Sequence, residues 1–212
     1  MPSNWVSRLA IIGVTAGICG LTFRLGSSDA TGLNKRLQEW SKQGEYQPSA
    51  ALFDTTEILM VYIGSSTCGP SNTPGLDETI ERLKLATQSR ARGRGLTFAT
   101  MGIARDRNVG AGLEHLAKFG AFDELSAGRG WYNMGLVKYL YEEVPGTAAT
   151  PQVLVVQRRV LGGLTRGYGP ERVLARKVGV KEILDWEAAG APLPKVERPQ
   201  AGRVVGDTSV RR

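Results

Sequence analysis

Ile58 to Ile63 (ILMVYI) is an uninterrupted apolar run that stops at Gly64-Ser65-Ser66, and five residues past its end Cys68 stands in Thr67-Cys68-Gly69-Pro70-Ser71. A short continuous apolar run bounded by turn residues reads as a strand buried on both faces. Pro70 suits the first turn of a helix, where its missing N–H had no intrahelical partner to lose. Leu76, Ile80, Leu83 and Leu85, with Asp77, Glu78 and Glu81 between them, predict that helix, its acids in the early turns where they complement the dipole. Pro74 is expected to kink this helix or shorten its start. The chain thus places a cysteine at a strand-to-helix junction. Unpaired backbone N–H groups and the positive end of a helix dipole stabilise a thiolate there and lower the thiol pKa. An inert cysteine would sit within an apolar period, whereas Cys68 sits among serine, threonine, glycine and proline.

The remaining pattern extends this unit. Arg90 to Gly95 reads as a turn and Leu96 to Ile103 as a second strand. Residues 108–143 read as two helical pieces, one lined by Val109, Leu113, Leu116 and Phe119, the other by Leu136, Val137, Leu140 and Tyr141, with Gly128 to Gly130 between them. Val153 to Val156 predicts a third strand, Arg158-Arg159 a polar turn and Val160 to Leu164 a fourth strand, an antiparallel hairpin with Gly162-Gly163 marking a bulge. Pro170 is expected to open a final helix carrying Val173, Leu174, Val178, Ile183, Leu184 and Trp186. Parallel β-α-β units followed by a hairpin give an α/β sheet with helices on both faces. His115 reads as a surface or boundary residue, Asp123-Glu124 as a solvated face, and Trp131, Tyr132, Tyr139 and Tyr141 as core or interface packing or, in a second reading, as a groove for an extended target segment.

Residues 9–23 carry no charge, with Arg8 before and Arg24 after. A spanning helix needs about 20 apolar residues, so this run fits an uncleaved membrane anchor, a signal segment cleaved after Ala30, or a buried helix of a soluble chain. The domain organisation read from the sequence is then 1–30 anchor or signal, 31–56 short helix and linker, 57–188 the folded domain, and 189–212 a disordered tail. Such a chain is membrane-anchored or exported, with the extracytoplasmic side favoured. Two cysteines in 212 residues, Cys19 and Cys68, exclude a disulfide scaffold and any Cys-based metal cluster, and the single His115 argues against a multi-histidine site. No metal and no cofactor are expected. The net charge of +7 includes Arg90, Arg92 and Arg94. No aromatic residue interleaves them to stack on a base, so nucleic-acid binding is not expected.

The stretch VYIGSSTCGPS resembles the thioredoxin superfamily's strand and C-G-P-C turn. Thr150-Pro151, just before a late strand, resembles the family's cis-proline, and the hairpin and last helix fall in the family's order. The resemblance covers Glu57 to Glu187. It implies a thioredoxin-like mixed sheet with flanking helices and a helical insertion over 105–148. It also implies a cis peptide at Thr150-Pro151, Cys68 as the nucleophile in a turn made with Gly69, Pro70 and Ser71, and Thr150 with Pro151 as a platform for an extended substrate. Three departures matter, one being that the segment between the motif and Pro151 is longer than in the family's smallest members. Ser71 replaces the cysteine that resolves a mixed disulfide, and the strand before the motif lacks the family's buried carboxylate, Tyr62 being its only polar group. The resemblance supports two functions. One is a monothiol oxidoreductase acting on protein disulfides or glutathione adducts, with an external thiol completing the cycle. The other is a non-catalytic binding or assembly module at a membrane, reached through residues 9–23.

Overall fold

The structure, a computed structural model, describes residues 45–48, 54–161 and 167–196. The expectations for residues 9–23, for a helix near 33–40, for Gly162-Gly163 and for the chain beyond 196 lie outside the described residues. Among the described residues no helix is long and apolar enough to cross a membrane.

Five strands form one mixed sheet: β1 (Thr55–Gly64), β2 (Thr97–Ala104), β3 (Glu124–Ser126), β4 (Gln152–Leu161) and β5 (Gly167–Val178), in the order β3-β2-β1-β4-β5. β1 pairs in parallel with β2 and β2 with β3, while β4 runs antiparallel to both β1 and β5. The helices are α1 (Leu76–Arg92), α2 (Val109–Ala117), α3 (Met134–Leu136), which runs into a π turn over Val137–Tyr141, and α4 (Gly179–Ala188). The central β1 with its parallel neighbour, followed by the antiparallel β4–β5 pair and a closing helix, is the thioredoxin-like fold.

The apolar run is explained by the two cores that β1 serves. Successive side chains of a strand point to opposite faces. Ile58, Met60 and Tyr62 join Ile80, Leu83, Leu116, Phe119, Ile183 and Trp186 on the face covered by α1, α2 and α4. Leu59, Val61 and Ile63 join Ile103, Leu136, Tyr139, Leu140, Leu154 and Val156 on the face covered by α3 and its π turn. A strand with a core on each side has no polar face to show.

Three expectations need correction. First, Cys68 does not open the long helix. A 3-10 turn, Pro70–Asn72, intervenes and α1 begins at Leu76. The residue before a proline is pushed out of helical space, and Thr73, preceding Pro74, is extended at φ −61° and ψ 129°. Gly75 then turns the chain at φ 81° before α1 starts. Pro74 therefore shortens the helix start, as its position predicted.

Second, Arg158-Arg159 is no turn, and no helix opens at Pro170. β4 continues through both arginines and β5 occupies residues expected to be helical, leaving α4 to start at Gly179. Pro170 is tolerated because β5 is an edge strand, where a missing N–H costs no ladder bond. Arg158 lies in the sheet because it is paired. Its Nε donates to Glu57 Oε2 at 2.8 Å, its Nη2 reaches Glu124 Oε1, and its guanidinium stacks 4.1 Å from the Tyr168 ring. Burial pulls its pKa down, but Glu124 and Glu57 outweigh burial and hold it above the ordinary arginine value.

Third, the Asp123-Glu124 pair is not a solvated face. Asp123 Oδ2 accepts from the Thr100 N–H at 2.7 Å and from the Tyr46 hydroxyl at 2.7 Å, and Glu124 meets Arg158 from β3, a strand the sequence reading did not contain. The chain also stays on the body past 188: Ala191 is buried, Trp186 Nε1 donates to Pro192 O at 3.2 Å, and Leu193 and Val196 pack against the core.

Candidate functional site

The C-terminal end of β1 projects Ser65 to Ser71 as a loop held from several sides. Asp106, just past β2 and buried, accepts hydrogen bonds from both the N–H and the hydroxyl of Ser66. The Asn72 amide nitrogen lies within donating distance of three loop carbonyls: Ser65 at 3.2 Å, Ser66 at 3.0 Å and Cys68 at 2.8 Å. Arg105 Nη2 donates to Thr67 Oγ1 at 3.1 Å, and its guanidinium lies 4.9 Å from the centre of the Trp131 ring. Nothing in the sequence marks Asn72, Arg105 or Asp106 as part of a site. The last two sit at the end of β2, and only the parallel pairing of β1 with β2 brings them beside the loop.

Within this frame the sequence-predicted residues come together. Cys68 is a free, partly buried thiol whose N–H donates to Ser65 O at 3.2 Å. Its Sγ donates to Thr150 O at 3.3 Å, across 82 residues of sequence. The Thr150-Pro151 peptide is cis, as the resemblance implied. Gln152, buried at the start of β4, holds the preceding loop through bonds from Nε2 to the carbonyls of Thr147 and Ala149. Gly69 and Pro70 are exposed beside the thiol.

Ser71 is 1% exposed, and its hydroxyl has no hydrogen-bond partner of good geometry in the resting arrangement. An unpaired buried hydroxyl is costly, and this one stands close enough to act on both the Cys68 sulfur and the Tyr62 phenol. It is a donor in place for a thiolate. Partial burial is the largest influence on Cys68 and pushes its pKa up. The Ser71 hydroxyl and backbone N–H and the Thr150 side chain close to the sulfur, with the positive charge of Arg105, outweigh it, so the thiol lies below its ordinary value. The helix dipole has a smaller part than the sequence suggested, because the long helix starts further on. Replacing Ser71→Ala removes one of these donors and raises the Cys68 pKa. Thiolate ultraviolet absorbance followed against pH reads the shift, and an unmoved titration curve would remove the hydroxyl from this role.

Beneath the loop, where the sequence left only Tyr62, the structure adds His115. This corrects its placement as a surface residue: His115 is 1% exposed, its Nε2 lies 3.5 Å from the Tyr62 hydroxyl, and Phe119 packs edge-on against its ring at 5.1 Å. The two fit because residue 64 is glycine. A Cβ there would stand 2.5 Å from both His115 Nε2 and the Tyr62 hydroxyl. Burial lowers the His115 pKa from the ordinary 6.5 to about 4, against the opposing pull of Asp106. Its neutral form is therefore the folded form, while the unfolded chain takes up a proton below about 6.5. The folded protein is expected to lose up to about 3 kcal/mol as pH falls from 6.5 to about 4, on the conversion of a pKa difference to free energy. His115→Phe should flatten that part of a plot of urea midpoint against pH. An unchanged slope in the variant would show that another group carries it.

No family model matches the chain, and no curated protein matches it. Among solved structures it is similar to one provisionally assigned as the thiol:disulfide interchange protein DsbE from Chlorobium tepidum, at 17% identity, covering 69% of this chain and 99% of that one, with a TM-score of 0.36.

Proposed function

We propose that the chain is a thioredoxin-like thiol-disulfide oxidoreductase that works through one thiol, Cys68, on disulfides of proteins or on glutathione adducts. The observation that carries this reading is the partly exposed Cys68 sulfur beside Ser71, Thr150 and Arg105, which together lower its pKa. A thiolate is the attacking species in disulfide exchange, and a partly exposed one in an electropositive setting is reactive.

The cycle balances without a cofactor. The Cys68 thiolate attacks one sulfur of the target disulfide, a new S–S bond forms to Cys68, and the old S–S bond breaks. The leaving sulfur departs as a thiolate and takes a proton from solvent. Ser71 cannot attack the mixed disulfide, since a hydroxyl is not ionised near neutral pH. An outside thiol attacks the target's sulfur in the adduct, forming a new S–S bond to it as the bond to Cys68 breaks; Cys68 leaves as a thiolate, and the oxidation passes to the new mixed disulfide, which a further outside thiol takes up as its own disulfide. Thr150 and Pro151 supply the platform along which an extended target segment lies, and Gly69 and Pro70 leave that approach open.

The absence of a second thiol at position 71 also supports another reading, a binding or assembly module at a membrane that retains Cys68 as a tether. Residues 9–23 would anchor or export either form, and alkali extraction of cell membranes would separate anchored from released protein. Incubation with a disulfide-bonded peptide distinguishes the two functions. The oxidoreductase gives a mass-detectable adduct on Cys68 that free thiol removes repeatedly, and Cys68→Ser gives none. No adduct, or an adduct that free thiol cannot release, overturns the catalytic reading.

A further inference from the structure

A cleft of about 510 Å³ opens directly beside the Cys68 loop. Thr67, one residue from the nucleophile, forms part of its wall with Arg105, Arg107, Arg129, Trp131 and Tyr132. Its size is that of a binding site. Three arginines and one carboxylate, Asp106, line it, and that carboxylate already accepts from the N–H and the hydroxyl of Ser66. Among the described residues neither Arg107 nor Arg129 is engaged in an ion pair, and both are exposed. Arg129 stands in the left-handed region at φ 61° between Gly128 and Gly130, a backbone uncommon for arginine. The loop is fixed by the Gly130 N–H donating to Asp106 O at 3.2 Å. Trp131 lies under Arg105, and Tyr132 on the rim is 82% exposed.

We propose that this cleft receives an acidic segment of the target polypeptide next to the disulfide that Cys68 attacks; the proposal rests on the oxidoreductase reading above. Guanidiniums take carboxylates with two parallel hydrogen bonds. Free, exposed guanidiniums beside a nucleophile also raise the encounter rate of anionic partners and lose that effect in salt. The aromatic pair gives such a segment an apolar anchor, since tyrosine, tryptophan and arginine dominate binding at protein interfaces. A volume of about 510 Å³ admits more than a single amino acid. Recognition precedes the exchange step and leaves its balance unchanged: one S–S bond forms at Cys68 as the target's breaks.

The test compares rates of adduct formation at Cys68 for peptides with the same activated disulfide, flanked by Asp/Glu, by Asn/Gln or by Lys. Oxidised glutathione and an uncharged small disulfide serve as a matched pair without a peptide. The acidic peptide should react about 10-fold faster than the neutral one at low ionic strength. That ratio should fall toward one in high salt and in the Arg107→Gln/Arg129→Asn protein, asparagine being at ease in left-handed backbone. The ratio is read within one protein, so a general loss of reactivity does not imitate it. Adducts forming at a ratio near one in the unaltered protein, or a ratio that survives the double substitution, overturn the acidic subsite while leaving the oxidoreductase standing. An equal preference for oxidised glutathione over the uncharged small disulfide would reassign the cleft to a small carboxylate-bearing thiol and overturn the polypeptide occupant. Failure of every disulfide to form an adduct sinks the oxidoreductase reading itself, and this proposal with it.

Discussion

Substitution Ser71→Cys is expected to shorten the life of a Cys68 mixed disulfide by about 10³-fold or more, because it turns an intermolecular resolution into an intramolecular one. Well-oriented groups on one chain reach effective concentrations of about 10⁵ M and above, against the millimolar thiol an outside reductant supplies. The position is suited to it. The 3-10 turn Pro70–Asn72 brings residue 71 back toward Cys68, its side chain is buried, and its hydroxyl already acts on the sulfur. Sulfur in place of oxygen adds little volume there. The adduct formed with a peptide disulfide, followed by mass spectrometry after rapid quenching, should decay within the mixing time in the variant and persist in the parent until thiol is added. A variant adduct as long-lived as the parent's would mean that the two sulfurs cannot align, and Ser71 would lose its meaning as the missing resolving position.

The second large effect is on stability. Arg158→Met should cost about 3–5 kcal/mol, the usual penalty for stranding a buried charge, or roughly 10 °C in melting temperature for a domain of this size. Glu57, whose side chain is 0% exposed, would be left facing the apolar side chain with no guanidinium. Glu124 is a quarter exposed and can turn to water, so the penalty falls mainly on Glu57. Replacing both partners, Arg158→Met with Glu57→Leu, should recover most of the loss, because a buried ion pair is weak support for a fold even when breaking it is expensive. Urea denaturation of the parent, the single variant and the double variant measures this. A single variant losing less than about 1 kcal/mol would place the pair with ordinary surface bridges.

That ion pair also shows where sequence reading loses its grip. β1 was legible because its neighbours on both faces are apolar, which leaves an unbroken run. The Cys-Gly-Pro-Ser turn and Thr150-Pro151 were legible because few local conformations accept those residues. Arg158 was not: a charge signals solvent until its partners are known, and they stand 101 and 34 residues away. β5 was misread for a related reason. As an edge strand it shows water on much of its length, so its apolar spacing imitates a helix, and Pro170, forbidden inside a sheet, is allowed at its margin. β3 has three residues and no periodicity to detect. His115 looked peripheral because nothing nearby in sequence says that Gly64 leaves room for its ring. Around the thiol, the residues proposed to react were visible. Those that hold the loop, Asn72, Arg105 and Asp106, became visible only once β1 and β2 lay side by side.

The central place of β1 has a mechanical consequence. A partner held on Cys68, as proposed, would pull through Ser65, Ser66 and Thr67 on a strand zipped along its length to β2 on one side and β4 on the other. Pulled along its axis, such a strand loads both ladders in shear, and it cannot peel away as β3 or β5 could from the sheet's margins. Such a tether would be fixed to the part of the molecule that opens only when the whole sheet opens. The amides of Leu59 to Tyr62 should be the last to exchange with deuterated solvent whether or not a partner is attached.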